Sequence, residues 1–114
     1  MQNIDSRQFK EMLDKERDSL EIIDVREKDE ADLVRVKGSK LIPMNELPSR
    51  LNEIDWNKKV VFLCRSGARS EYMADIIERQ TQKNIINLAG GIYQLNLDDC
   101  DCLEKAEECC EGYF

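Results

Sequence analysis

A cysteine with a glycine and two arginines close behind it is the feature of this 114-residue chain most suited to covalent chemistry. It directly follows the apolar run at residues 60–63, where a buried strand would end. A loop from a strand into a helix directs backbone N–H groups into one cavity, and the helix dipole adds positive charge there. These groups favour a thiolate and an anionic substrate. The predicted site comprises Cys64, Arg65, Ser66, Gly67, Ala68, Arg69 and Ser70.

The alternative interpretation of Cys64 is a small apolar residue buried after a strand, which is common for cysteine. The arginines, the glycine and the helix start within six residues favour the functional interpretation. The chain has no histidine. Its absence excludes Cys–His catalysis of the protease type and every metal site that needs imidazole.

Composition predicts one compact domain with 41% hydrophobic and 36% charged residues. No window approaches the roughly 20 apolar residues of a membrane span, and the first residues resemble no signal segment. We therefore expect a cytoplasmic protein whose five cysteines are thiols, metal ligands or catalytic groups rather than structural disulfides. Residues 1–97 carry 17 acidic and 16 basic side chains, whereas residues 98–114 carry seven and one. Neither nucleic acid nor an anionic membrane is an expected partner.

The hydrophobic pattern alternates between strands and helices. It predicts strands at 20–25, 41–43, 60–63 and 85–88, and helices at about 5–15 and 69–80. A further helix is expected after Asn45, and residues 26–40 are expected to be mostly loop. This alternation is typical of an α/β domain with a central, mostly parallel sheet flanked by helices on both faces. Ligand sites in such sheets lie beyond the carboxyl ends of the strands, where Cys64 is placed.

Four segments together resemble the rhodanese-like domain over about residues 4–97. They are residues 22–27 (IIDVRE), 41–43 (LIP), 64–70 (CRSGARS) and 88–92 (LAGGI). The resemblance implies a single-domain sulfurtransferase in which Cys64 accepts a sulfane sulfur as a persulfide and transfers it to cyanide or a thiol. It also implies that Arg69 closes the loop, that Arg65 meets an anionic donor such as thiosulfate or polysulfide, and that Asp24 and Arg26 support the site. No cofactor is implied.

Three differences from the resemblance concern the surroundings of the loop. The histidine that relatives commonly carry before the Ile-Pro segment is missing from residues 35–40. Ala31-Asp32 replaces an acidic-aromatic pair, and Leu95 replaces a tryptophan, which makes the packing of the last helix uncertain.

Two other functions remain open at this point. The chain could be a non-catalytic persulfide carrier or a metal-responsive binding module, with a protein as sulfur acceptor. Phosphatase action is less favoured, because Cys64 and Arg69 have the spacing C-x4-R, whereas the related phosphatases use the wider C-x5-R loop.

The acidic, cysteine-rich segment at residues 98–114 is interpreted as an extension of a domain at residues 1–97. Its thiols could pack, bind a metal or relay sulfur from Cys64. Good helix formers at 103–108 predict a helix, which would separate Cys102 from Cys109 by roughly 10 Å and so weakens a shared metal site. The four cysteines concerned are Cys100, Cys102, Cys109 and Cys110.

Overall fold

A five-stranded parallel sheet forms the centre of the fold in a computed structural model that describes residues 1–106. The strand order is β1-β6-β5-β2-β4. The elements in chain order are β1 (Gln2–Ile4), α1 (Ser6–Glu16), β2 (Leu20–Asp24), α2 (Lys28–Leu33), β3 (Val34–Val36), β4 (Lys40–Leu41), β5 (Lys59–Leu63), α3 (Ala68–Thr81), β6 (Ile85–Leu88), α4 (Gly91–Leu97) and β7 (Leu103–Lys105). The predicted α/β fold with helices flanking a mostly parallel sheet is confirmed.

Strand β5 lies in the middle of the sheet, and its alternating side chains divide the core into two clusters. Val61 and Leu63 pack on one face with residues of α1 and α4, whereas Phe62 packs on the other face with residues of α3. Cys64 continues this alternation and belongs to the α3 face. The chain therefore enters its cysteine loop at the carboxyl end of the central strand.

A capping box at residues 5–8 begins the first helix. Asp5 accepts the backbone N–H of Gln8 at 2.8 Å, and the Gln8 side chain accepts the N–H of Asp5 at 2.9 Å. Phe9 and Leu13 then bury the inner face of α1. Strand β1, which precedes this helix, was not predicted, because only Ile4 of its three residues is buried.

Residues 26–54 contain more and different regular structure than the pattern predicts. The segment expected to be mostly loop holds the six-residue helix α2 and the short strand β3, whereas β4 begins at its last residue and overlaps the strand predicted at 41–43. The helix predicted after Asn45 is wrong, because two 3-10 helices, Leu47–Ser49 and Leu51–Glu53, occupy this position. Pro48 lies in the first of them, and the non-helical backbone of Arg50, with φ −122° and ψ 20°, separates it from the second.

The segment after α4 corrects two predictions. Leu103–Lys105 forms β7, antiparallel to β3, instead of a helix, because pairing with an otherwise open strand outweighs local helix propensity. Cys100 and Cys102 form a disulfide rather than remaining thiols or metal ligands. The turn brings their Cα atoms to 5.1 Å in the cluster that contains Leu95, which suits this bond.

Three further predictions concern the cysteine-rich segment. Within residues 1–106 no cluster of metal-ligating side chains occurs. Cys109 and Cys110 lie outside the described residues. The domain boundary at residue 97 stays a prediction.

Candidate active site

Cys64 lies at the start of the loop between β5 and α3, with its side chain fully buried. The Gly67 N–H donates to its sulfur at 3.1 Å, and the Ser70 hydroxyl lies 3.4 Å from the same atom. Both groups can stabilise negative charge on sulfur. Of the predicted cradle of N–H groups, Gly67 supplies one direct bond to the sulfur, and Ser70 adds a hydroxyl that the sequence did not assign to it.

The first turn of α4 fixes the direction of the loop peptides. The Ile92 N–H donates to the Cys64 carbonyl at 3.0 Å, and the Tyr93 N–H donates to the Arg65 carbonyl at 2.9 Å. Because these carbonyls point toward α4, the N–H groups in the same two peptide units, those of Arg65 and Ser66, point the opposite way. The Gly-Gly turn before α4 therefore shapes the loop from a distance in sequence.

Two glycines allow the backbone segments around the sulfur to approach closely. A Cβ atom on Gly91 would lie 2.4 Å from the Cys64 carbonyl oxygen and 2.6 Å from that of Arg65. Gly67 has φ +98°, and a Cβ atom there would lie 3.0 Å from the Gly90 nitrogen. Both positions therefore require glycine for space as well as for conformation.

Arg69 forms a two-pronged ion pair with Glu30 of α2. Its two terminal nitrogens donate to the two carboxylate oxygens at 2.8 and 2.9 Å. Such a planar pair fixes direction as well as distance. Arg69 thus fastens the first turn of α3 to α2, and Glu30 is a partner that the sequence analysis did not name for it.

Arg65 lies half-buried at the rim of the loop, with its guanidinium carbon 5.9 Å from the centre of the Tyr93 ring. This is within the distance at which a cation is attracted to an aromatic face. The pair places a positive charge and an exposed ring beside the entrance to the site.

Asp24 and Arg26 form a buried ion pair at the end of β2, beside the cysteine loop. The Arg26 side chain donates to both carboxylate oxygens, at 2.8 Å in its shortest bond, and to the Val34 carbonyl at 2.6 Å. Asp24, two residues before Arg26 in the chain, is thus its acidic partner. A buried charge of this kind requires such pairing.

The structure brings the predicted loop residues together around one sulfur. Gly67 and Ser70 are buried beside it, and Ser66 and Ala68 are exposed on the outer side of the loop. Cys100 and Cys102 belong to the core cluster on the opposite face of the sheet. Asn87 of β6, which bonds to Ser70 at 2.6 Å, was missed, although a single polar residue within an apolar strand is a recognisable signal.

A family model for the rhodanese-like domain matches residues 5–98. The chain belongs to this family. The match contains the whole loop from Cys64 to Ser70 and the Gly-Gly turn that packs against it.

Named relatives of this rhodanese-like chain include proteins that carry or transfer sulfur. It is 34% identical over 89 residues to a protein of Allochromatium vinosum named sulfurtransferase, covering 78% of this chain and 82% of that protein. It is 37% identical over 84 residues to YrkF of Bacillus subtilis, which is named as a candidate sulfur carrier protein; the match covers 74% of this chain. The matched region spans only 45% of YrkF.

A solved structure supports the fold of the rhodanese-like chain. The crystal structure of a rhodanese-like domain protein from Staphylococcus aureus is 27% identical and superposes with a TM-score of 0.79. The superposition covers 94% of this chain and all of the other. Among the described residues, no helix is long and apolar enough to span a membrane.

Proposed function

We propose that this chain is a sulfurtransferase that moves a sulfane sulfur from an anionic donor to a thiophilic acceptor through a persulfide on Cys64. The observation that carries the proposal is the Gly67 N–H bond to the Cys64 sulfur at the end of the central strand. The family and the named sulfurtransferase relative support it. In the proposed reaction a single sulfur atom is transferred to and from Cys64.

Transfer from thiosulfate would begin with attack of the Cys64 sulfur on the outer sulfur of the donor. A bond forms between these two sulfurs while the bond to the sulfonate group breaks, and sulfite leaves with the electron pair. Arg65 attracts the donor's negative charge at the rim. The loop N–H groups stabilise charge that develops on sulfur, as oxyanion-hole donors do on oxygen.

The second step returns Cys64 to its starting form. Cyanide or a thiolate attacks the outer sulfur of the persulfide, a bond to the acceptor forms, and the sulfur–sulfur bond to Cys64 breaks. The Arg69–Glu30 pair holds the helix end in place during both steps, and the Asp24–Arg26 pair supports the neighbouring β2 end. Ser66 and Ala68 contribute loop backbone, and no cofactor takes part in either step.

The burial of Cys64 favours a reagent that projects one atom into the site. The terminal sulfur of a sulfane donor can do so, whereas a phosphoryl group brings three further oxygens to the reacting centre. Together with the short C-x4-R spacing, this argues against the phosphatase alternative.

A carrier function without turnover is the second candidate, favoured by the similarity to YrkF. In that function Cys64 takes up one sulfur and gives it to a partner protein that supplies the specificity. The first half of the chemistry is the same, so only repeated turnover with small acceptors separates the two functions.

The deciding experiment compares the wild-type chain with Cys64→Ser in a thiosulfate:cyanide assay, with polysulfide and glutathione persulfide as further donors. A sulfurtransferase forms many equivalents of thiocyanate per chain, and Cys64→Ser forms none above background. A persulfide on the Cys64 peptide with at most one equivalent of product would indicate the carrier function. Hydrolysis of an aryl phosphate that depends on Cys64 would instead indicate a phosphatase.

A further inference from the structure

The Ser70 hydroxyl has one hydrogen and three acceptors within reach. The Asn87 side-chain oxygen lies at 2.6 Å, the Gly67 carbonyl at 3.2 Å and the Cys64 sulfur at 3.4 Å. A hydroxyl donates one hydrogen and accepts with its lone pairs. The shortest distance places that hydrogen on Asn87, so a lone pair of Ser70 faces the sulfur.

The orientation of the Asn87 amide follows from its other neighbours. Its nitrogen lies 3.4 Å from the Gly67 carbonyl, which can only accept, and donates to the Asn3 side-chain oxygen at 2.9 Å. Turning the amide over would place its oxygen against that carbonyl. Asn87 is only 1% exposed, so solvent cannot easily replace a lost partner. The amide oxygen must therefore face Ser70.

We propose that Asn87 is a positioning residue that competes with the Cys64 sulfur for the single hydrogen of Ser70. This inference rests on the proposed function, because it assumes that the Cys64 sulfur is the reacting atom. While the sulfur carries its proton, the S–H donates to Ser70 and the Ser70 hydroxyl donates to Asn87, so every group is satisfied.

Loss of the proton to solvent changes this arrangement. The anionic sulfur would face a lone pair of Ser70 unless the hydroxyl rotates and donates to it. Rotation leaves the buried Asn87 oxygen without its donor, which is unfavourable. In the persulfide the Cys64 sulfur is bonded to the second sulfur and is no longer anionic, so the hydroxyl can return to Asn87. Asn87 therefore disfavours the free thiolate relative to both the thiol and the persulfide.

The other charged and titratable residues around Cys64 lie on the cysteine loop, on α2, α3 and α4 and at the end of β2, and no variant in the test changes them. They are Arg65 and Arg69 of the loop and α3, Glu30 of α2, Asp24 and Arg26 at the end of β2, with titratable Tyr93 on α4. Because the substitutions leave all of these in place, a shift in the ionisation of Cys64 would report on the Ser70–Asn87 bond.

The test measures how fast iodoacetamide alkylates Cys64 as a function of pH, with the modified peptide quantified by mass spectrometry. Asn87→Ala should move the midpoint to lower pH by about one unit, because Ser70 is then free to donate to the thiolate. Ser70→Ala gives the reference midpoint of a chain without the hydroxyl. The matched control Asn3→Ala, which removes the outer partner of the amide, should leave the midpoint in place.

The double variant Ser70→Ala/Asn87→Ala decides whether the effect passes through the hydroxyl. Its midpoint should equal that of Ser70→Ala alone. The proposal is wrong if folded Asn87→Ala shows an unchanged or higher midpoint, or if its shift persists without Ser70. Asn87→Val, with a side chain suited to a strand and without an acceptor, replaces Asn87→Ala if circular dichroism shows that the latter does not fold.

Alkylation needs no sulfur donor or acceptor, so this result is separate from the proposed function. A chain that transfers no sulfur can still show the predicted shifts, and an active chain can fail to show them.

Discussion

Two buried cysteine sites lie on opposite faces of the same sheet, and their surroundings differ in kind. Cys64 ends the central strand beside a backbone N–H, a hydroxyl and the arginine-bearing loop. Cys100 and Cys102 are linked to each other among the apolar residues of the other face, where the Cys102 N–H donates to the Cys100 sulfur at 3.3 Å and both acidic and basic residues line the nearby surface. Burial and a backbone N–H donor are common to both sites, so the free thiol, the hydroxyl and the arginines are the features that set the Cys64 site apart and support the reactive role proposed for it.

Glycine provides the largest test of this comparison, because both regions contain glycine with positive φ. Gly91→Ala should destabilise the fold by about 3 kcal/mol and abolish sulfur transfer, since the added Cβ meets the Cys64 carbonyl at 2.4 Å. Gly38 has φ +81°, but its Cβ would meet nothing nearer than 3.8 Å. Gly38→Ala should therefore lose only about 1 kcal/mol from its backbone conformation and keep its activity.

Urea unfolding and the thiocyanate assay measure these two effects. Equal losses of activity in folded Gly91→Ala and Gly38→Ala would contradict the idea that close packing of α4 shapes the loop.

Removal of the disulfide should affect stability and leave the chemistry unchanged. Cys100→Ala/Cys102→Ala should lower the free energy of unfolding by about 2 kcal/mol, because a cross-link over so short a loop restrains the unfolded chain only modestly. Transfer from Cys64 should continue at the wild-type rate. Cys64→Ser is the opposite control, because it should keep the wild-type free energy of unfolding and lose sulfur transfer.

The point variants test the role of the disulfide more directly than a chain truncated after Leu97 would. Truncation would also remove β7 from its partner β3, so a loss of activity could follow from unfolding. Slower transfer to thiol acceptors in a folded Cys100→Ala/Cys102→Ala variant would support the sulfur relay instead.

The core of the fold was predictable because its signals are local. The apolar runs of β2, β5 and β6 and the capping box of α1 each lie within a few adjacent residues. The pairing of β7 with β3 is not local, since Glu104 lies opposite Arg35, and local propensity at residues 103–106 favoured a helix. Edge pairing of this kind depends on which strand the fold leaves open.

The candidate site was predictable to the same extent. Cys64, Arg69 and the glycine lie in one contiguous loop, so the sequence shows them together. Asn87 and Glu30 reach the loop from other elements, at 17 and 39 residues from their partners Ser70 and Arg69. Only the fold brings these partners to the site.

Ion pairs give a third test, because both regions contain them. Arg69→Lys should lose the two-pronged contact with Glu30, destabilise the fold by about 1 kcal/mol and slow transfer about fivefold. Arg35→Lys, which alters the pair with Glu104 beside the disulfide, should change neither quantity measurably. The Arg35 and Glu104 side chains are 58% and 53% exposed, and pairs of this exposure contribute little. Thermal unfolding and steady-state kinetics distinguish the two outcomes, and equal effects would contradict them.

Acid titration gives the smallest effect and concerns the turn that leads to Cys100. A hydrogen bond from the Ser6 hydroxyl, assisted by Gln94, lowers the pKa of Asp98 below its ordinary value. A lowered pKa means that the carboxylate stabilises the fold above the unfolded value, about 3.9, and that this stabilisation is lost as the pH falls through the folded value. Asp98→Asn should thus be slightly less stable than wild type at neutral pH and should converge with it in acid.

The measurement is urea unfolding from neutral pH down to the lowest pH at which both chains fold. Asp101→Asn removes the same charge from the same segment without changing the Ser6 bond, so it separates a specific contact from general charge. Transfer by Cys64 should be equal in all three chains at neutral pH, because Asp98 holds α4 to α1 at the end of α4 remote from Ile92 and Tyr93. Slower transfer in Asp98→Asn alone would mean that the two ends of α4 are coupled, and the two cysteine regions would then not be independent.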